Sequence, residues 1–157
     1  MEHREIEKKY LVKSLPDDID NYPYKNIEQA YINEKAPTLR VRRLDDEYIF
    51  TYKNKVKDKP KDVCASDEIE CILDEDTYKK LLKKASGCVI KKRRYLIPYE
   101  DLTIELDVFF GEHKGLVIAE VEFDSFEQAN DFSPPSWFFE DVSSDYHYSN
   151  SYLAFNF

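Results

Sequence analysis

Apolar and polar residues alternate one by one along most of this chain, the period of a strand with one face buried. In 102–110, Ile104, Leu106, Val108 and Phe110 share one side, and Glu105 and Asp107 the other. In 115–123, Val117, Ala119, Val121 and Phe123 oppose Glu120 and Glu122. The same alternation sets Leu39 and Val41 against Arg40 and Arg42, and Tyr48, Phe50 and Tyr52 against Lys53. It also sets Ile69, Cys71 and Leu73 against Glu68 and Glu70, and Tyr95 and Ile97 against Lys92 and Arg94. Strands are therefore expected over 3–12, 27–33, 38–44, 47–54, 63–73, 88–98, 102–110 and 115–123. Turns fall at Glu34-Lys35-Ala36-Pro37, at Asp45-Asp46 and around Gly111 and Gly115, with a charged, Pro-containing loop over 55–62. Asp74 reads as an N-cap, with Asp76 in the first turn and Tyr78, Leu81, Leu82 and Ala85 behind it, so a helix is predicted that ends at Gly87. A short helix over 126–131 is capped by Ser125. After the break at Pro134-Pro135, an aromatic tail ends in a helical turn near 149–155. Many short antiparallel strands and few helices predict a mainly β (α+β) domain, built as a barrel or a strongly curved sheet.

The polar faces are unusual. A solvated sheet face mixes Ser, Thr, Asn and Gln with charges, whereas here the central positions are nearly all charged, with one sign per strand. Like charges two residues apart on a strand repel unless an opposite charge sits between them. Two readings remain open at this level. One is a half-buried sheet with its charged face in water. The other closes the sheet so that the charged faces meet inside and the apolar faces point outward, under helices and the aromatic tail (Trp137, Phe138, Phe139, Tyr146, Tyr148, Tyr152, Phe155).

Composition narrows the chemistry. The 157 residues are treated as one domain, 1–157, with a formal net charge of -9. That balance argues against nucleic-acid binding through bulk electrostatics. Three glycines and no Gly-rich phosphate motif leave any phosphate binding to side chains. Cys64, Cys71 and Cys88 are odd in number and lack the C-x-x-C spacing, so neither a disulfide framework nor a zinc site is expected; Cys71 is expected simply to pack. No apolar run reaches membrane-spanning length and the start is charged from residue 2, which predicts a cytoplasmic protein with no membrane partner.

In the first strand, Glu5-Ile6-Glu7-Lys8-Lys9 places Glu5, Glu7 and Lys9 on one face, good material for holding a metal ion against an anion. With Thr38-Leu39-Arg40-Val41-Arg42, Thr51-Tyr52-Lys53, Glu68-x-Glu70, Lys92-x-Arg94, Glu105-x-Asp107 and Glu120-x-Glu122 following in order, the whole chain resembles the CYTH superfamily, the triphosphate tunnel metalloenzymes. The tail from Asp145 to Ala154 resembles the end of its compact bacterial tripolyphosphatase members. The resemblance implies a closed eight-stranded antiparallel β-barrel whose charged lumen binds a linear triphosphate or polyphosphate. It implies Lys9, Arg40, Arg42, Lys53, Lys92 and Arg94 as substrate ligands, and Glu5, Glu7, Glu120 and Glu122 as ligands of Mg²⁺ or Mn²⁺. Glu5, Glu7, Lys9 and Glu122 are the implied catalytic set. Glu68, Glu70, Glu105 and Asp107 are left to hold a second ion, orient cations or activate water; an ion pair with a lumen cation is the plain alternative for each.

The chain departs from the family pattern at Ser66, where a basic residue is common, at Phe138, Phe139 and Glu140, and at His147, where Arg is common. The expected activity is metal-dependent hydrolysis of inorganic triphosphate by in-line attack of water. The alternatives are a nucleoside or thiamine triphosphatase, a class IV-type adenylate cyclase using Tyr22, Tyr24, Tyr48 or Phe139 to stack a base, a non-catalytic polyphosphate-binding module, and a purely structural barrel. A monomer and a homodimer are both compatible with the sequence. His3 is a candidate for the tunnel mouth.

Overall fold

The computed structural model describes residues 2–157. Nine strands and three short helices follow one another as β1 (Glu2–Val12), β2 (Tyr24–Tyr31), β3 (Thr38–Leu44), β4 (Glu47–Lys55), β5 (Cys64–Leu73), α1 (Glu75–Leu82), β6 (Ser86–Tyr99), β7 (Leu102–Phe110), β8 (Val117–Phe123), α2 (Phe126–Asn130), β9 (Phe138–Asp141) and α3 (Asn150–Phe155). Eight strands run β5-β4-β3-β2-β6-β7-β8-β1, and β1 pairs back onto β5, closing an antiparallel barrel. Closure leaves the wall without a free edge along the paired lengths.

β1 is the closing strand. One edge pairs with β8 from Ile6↔Phe123 to Leu11↔Ile118. The other edge pairs with β5 from Glu2↔Ile69 to Glu7↔Cys64, then with β9 at Tyr10↔Asp141 and Val12↔Phe138. The sequence pattern did not reveal β9. Its residues, Phe138-Phe139-Glu140-Asp141, do not alternate, and they become a strand by pairing with β1 where β5 has diverged.

The alternation resolves into an inner and an outer face. On the outer side Ile6, Tyr10, Ile97, Ile104, Leu106, Ala119, Val121 and Phe123 form the largest core, covered by Ala129 of α2, Trp137 and Phe138. A smaller outer cluster joins Ala30 and Val41 to Tyr78 of α1. Asp74 caps α1 by accepting from the Thr77 N–H at 2.7 Å. Cys71 does not pack: it is exposed at the uncovered part of β5. No helix among the described residues is long and apolar enough to cross a membrane.

The tail differs from the expectation that it covers only the outer face. Leu11, Tyr31, Ile90, Phe109 and Ile118 share the inward register of Lys9, Gln29, Lys92, Asp107 and Glu120, and they cluster with Leu153 and Ala154 of α3. At this end the barrel interior is therefore apolar, and α3 fills it as a stopper. Gly87, at φ +73°, lets β6 pass beside the stopper. A Cβ at Gly87 would collide with the carbonyl oxygen of Ala154. Gly87→Ala is expected to cost about 2 kcal/mol or more, from left-handed backbone strain plus that collision. The thermal midpoint should fall by about 4–8 °C, with faster amide exchange in 150–155. An unchanged midpoint would mean that α3 is not seated against β6.

Candidate active site in the barrel lumen

Inward register brings together side chains far apart in sequence. Glu5, Glu7 and Lys9 come from β1, Arg40 and Arg42 from β3, Lys53 from β4, Ser66, Glu68 and Glu70 from β5, Arg94 from β6 and Glu120 from β8. All of them line one cavity of about 960 Å³ that occupies the lumen and opens between the 55–61 loop and the 143–151 tail. The closed reading of the charged faces is the one the fold adopts.

The lumen is a lattice of opposite charges. Lys53 Nζ donates to Glu5 Oε1 at 2.8 Å. Arg94 donates to both oxygens of Asp107 at 2.7 and 2.9 Å, to Glu105 at 3.0 Å and to Glu120 at 3.2 Å. Lys9 Nζ lies 3.8 Å from both Glu7 and Glu120. Arg42 Nε donates to Gln29 Oε1 at 2.8 Å, and an Arg40 terminal nitrogen donates to Thr51 Oγ1 at 3.2 Å. Both Gln29 and Thr51 are fully buried; Gln29 went unnoticed in the sequence because a lone uncharged polar residue facing inward carries no charge signal.

Burial and neighbours set the protonation states. Burial, and then the carboxylates of Glu5 and Glu120, push the Glu7 carboxyl well above the usual range. Burial acts in the same direction on Glu5 and Glu120, but Lys53 outweighs it for Glu5, and Lys9 and Arg94 for Glu120, so both are held below the usual range. Burial and then the neighbouring Arg40 and Arg94 pull Arg42 down to about 10. Arg40, also pushed down by burial, is held up by Tyr31, Glu68 and Glu5. Two buried polar atoms here lack any hydrogen-bond partner: Arg40 Nε and Glu68 Oε2. A buried donor and a buried acceptor left open in this way are available to a ligand or to water.

Not every expected residue reaches the cavity. Lys92 and Asp107 are fully buried behind it, joined at 2.7 Å, with Lys92 also donating to Asn150 of α3 at 3.1 Å. Glu105 sits behind Arg94. Glu122, cross-strand from Glu7, is half-exposed and bonded to His3 at 3.0 Å, outside the cavity lining. Phe139 and Glu140 are exposed on β9 and do not line the lumen. His147 is exposed and paired with Asp145 at 2.7 Å. Ser66 does line the cavity, buried opposite Glu5 and Lys55. The tail supplies a further residue with no sequence signal. Ser143 Oγ accepts from the Lys9 backbone N–H at 2.9 Å, and its carbonyl accepts from the Cys64 thiol at 2.9 Å, so it stitches β1 to β5 where they part.

A divalent cation fits the donor set. Glu7 is buried, has its nearest cation at 3.8 Å and faces the charge of Glu5 and Glu120. Among the described residues no three carboxylate, imidazole or thiol groups converge to enclose an ion unaided. Mg²⁺ and Mn²⁺ do not need that, since they take one or two carboxylates and fill the remaining positions with water and substrate phosphate oxygens.

A closed antiparallel barrel whose lumen is lined by Lys9, Arg40, Arg42, Lys53 and Arg94 together with Glu5, Glu7, Glu68, Glu70 and Glu120 has the make-up of a tunnel for a compact polyanion and its counter-cation. The chain belongs to the CYTH family, whose domain model matches residues 3–151. It is 34% identical over 154 residues to the inorganic triphosphatase of Nitrosomonas europaea, spanning 96% of both chains. The crystal structure of the inorganic triphosphatase NE1496 superposes with a TM-score of 0.70 at 33% identity, covering 98% of this chain and 95% of that one. A putative adenylate cyclase from Bacillus halodurans shares the fold alone, with a TM-score of 0.60 at 17% identity over 82% of this chain and 85% of that one.

Proposed function

We propose that this chain is a divalent-metal-dependent hydrolase of inorganic triphosphate. The observation that carries the reading is the single lumen in which Lys9, Arg40, Arg42, Lys53 and Arg94, from four strands, surround one cavity beside Glu5, Glu7 and Glu120. Cations from several directions suit a linear anion with oxygens on every side, and Arg offers a planar fork to each phosphate. The curated relatives carry the same activity in their names.

In this reading Arg40, Arg42 and Lys53 seat the phosphates, and the open Arg40 Nε takes a phosphate oxygen. Arg94, held by Asp107, Glu105 and Glu120, presents a fixed guanidinium to the substrate rather than a mobile one. Lys9 neutralises charge developing on the bridging oxygen. Glu5, Glu7 and Glu120 would hold a cation, with Glu122, cross-strand from Glu7, reaching it through water. That cation, when bound, supplies charge neutralisation at the phosphoryl oxygens and a lowered pKa for bound water. Water then forms a bond to the terminal phosphorus as the bridging P–O bond breaks, leaving orthophosphate and pyrophosphate. Glu68, with its unpartnered oxygen, is placed to accept a proton or to hold a second ion. Lys92 and Asp107 support Arg94 from behind rather than touching the substrate.

The cyclase alternative finds no base site among the aromatics that prompted it. Tyr24 stacks on Tyr95 and under Arg93, Tyr48 packs on Tyr78, Tyr22 bonds Asp18, and Phe139 is exposed on β9. The test is phosphate release from tripolyphosphate, ATP and pyrophosphate with Mg²⁺ or Mn²⁺ and with EDTA. The expected result is metal-dependent release from tripolyphosphate at least about tenfold faster than from ATP. Equal turnover of ATP, or turnover that survives EDTA, would overturn the assignment.

A further inference from the structure

The two-residue rhythm that points Thr51 and Lys53 into the lumen does not stop at the end of β4. It continues as Lys55, Lys57, Lys59 and Lys61, four lysines within seven residues. Lys55 is still paired, opposite Ser66, and the Val56 N–H donates to the Ala65 carbonyl at 2.9 Å, so the strand leads directly into the loop. All four lysines border the same cavity as Arg40 and Lys53, at its open mouth.

Their charge is not answered locally. Among the described residues none of the four makes an ion pair within 4 Å, although the chain holds 32 carboxylates. Asp58 and Asp62, in the same loop, do not border the cavity. The two acidic residues at this mouth are engaged elsewhere, Glu34 with Asn156 at 3.1 Å and Asp145 with His147 at 2.7 Å. Lys55 Nζ rests 4.9 Å over the ring of Tyr146, which fixes one side of the opening. Four ammonium groups gathered on a strongly acidic chain repel one another unless an anion lies among them. A short triphosphate seated against Arg40, Arg42 and Arg94 leaves this collar unused. Asn150 and Ser151 of α3 border the cavity at this same end, so an anion that extends from the lumen here passes between α3 and the lysines.

We propose that Lys55, Lys57, Lys59 and Lys61 form a second anion subsite that holds the portion of a linear polyphosphate chain extending beyond the phosphates seated in the lumen. The proposal rests on the triphosphatase reading of the lumen and adds chain length as a determinant of affinity. Polyphosphate is favoured over nucleic acid because the collar is continuous with the lumen. A chain of bare phosphates can enter it without placing sugars and bases against the mouth.

The experiment compares wild type with the combined variant Lys55→Gln, Lys57→Gln, Lys59→Gln and Lys61→Gln. Lys55 ends β4 and the other three lie in the loop that follows, none of them in the core, so the variant is expected to fold. Binding of tripolyphosphate, long-chain sodium polyphosphate and single-stranded oligothymidylate is measured calorimetrically in EDTA, across a salt series. The variant should bind long-chain polyphosphate roughly tenfold more weakly, with a shallower salt dependence, and tripolyphosphate within about twofold of wild type. Equal loss for both phosphates, or no loss for either, overturns the subsite. Loss of oligothymidylate binding as large as that of polyphosphate also overturns it, by showing a general polyanion patch. Phosphate release from tripolyphosphate by wild type is read separately. Failure there removes the hydrolase reading, while the binding comparison still decides the collar.

Discussion

Replacing Glu7 by Gln is expected to lower metal-dependent phosphate release by more than about a hundredfold and, in the same protein, to raise thermal stability. The loss follows from removing the proposed cation ligand at the centre of the carboxylate group. The gain follows from its surroundings, since Glu7 is buried, faces Glu5 and Glu120, and meets Lys9 only at 3.8 Å. Without a cation the charged form is unfavourable, and the native state keeps a proton that the unfolded chain gives up. Stability from this group is present below the ordinary carboxylate pKa and is lost as pH rises through the raised native value. Gln cannot ionise, so the variant should not show that decline. In EDTA at pH 8 its midpoint should lie above that of wild type by about 2–6 °C, corresponding to about 1–2 kcal/mol. A variant that is both inactive and less stable would show that Glu7 is satisfied as an anion and is not waiting for a metal.

The second large effect is purely structural. Asp107 is fully buried and receives Lys92 at 2.7 Å and the Arg94 fork at 2.7 and 2.9 Å. Burial opposes its charge, yet Arg94 and Lys92 hold it below the usual range. The bond is unequal, because Asp107 is shared: burial draws Lys92 down to about 8 even with its carboxylate partner in contact. Asp107→Ala leaves a buried ammonium donating to Asn150 alone and releases Arg94 from its bidentate hold. The expected cost is about 3–5 kcal/mol, a drop of roughly 6–20 °C in the midpoint. Adding Lys92→Met should restore a good part of it, because the uncompensated charge is then gone. A loss under about 1 kcal/mol, or no recovery in the double variant, would mean that the pair is not the keystone of this side of the barrel.

The strands and the sidedness of the wall were legible in the sequence because alternation is dictated by the pleat. Glu105 and Asp107 had to face away from Ile104 and Leu106 wherever the chain went. The cations that line the lumen were legible for the same reason, as Arg40, Arg42, Lys53 and Arg94 all lie on charged faces. The depth of each residue along the axis was not legible. Lys92 follows the same rhythm as Arg94, yet it lies behind the cavity because Phe109 is its cross-strand partner and α3 fills the space beyond. A signal was present in Leu11-Val12, Val89-Ile90, Phe109-Phe110 and Val117-Ile118, where strands turn apolar on both faces at one end. Such pairs mark where an interior changes from charged to dry. β9 and Ser143 carried no local signal, since both are defined by a gap between β1 and β5 that exists only in three dimensions.

The closing role of β1 also orders events in time. Its two neighbours in the wall, β5 and β8, emerge long after it during synthesis, and β9, which continues its second edge, emerges later still. The strand bearing Glu5, Glu7 and Lys9 can meet β5 only after residue 73 is made, and its other edge must wait, unpaired, for β8. Contacts between positions as distant as Ile6 and Phe123 make the loop to be closed nearly the whole chain, which places folding in the slow, nonlocal regime of β-barrels. A ribosome-bound intermediate carrying β2 through β7 can be a curved sheet, but it has no lumen. Catalytic competence in this architecture arrives at once, when the first strand made meets the last strand of the wall.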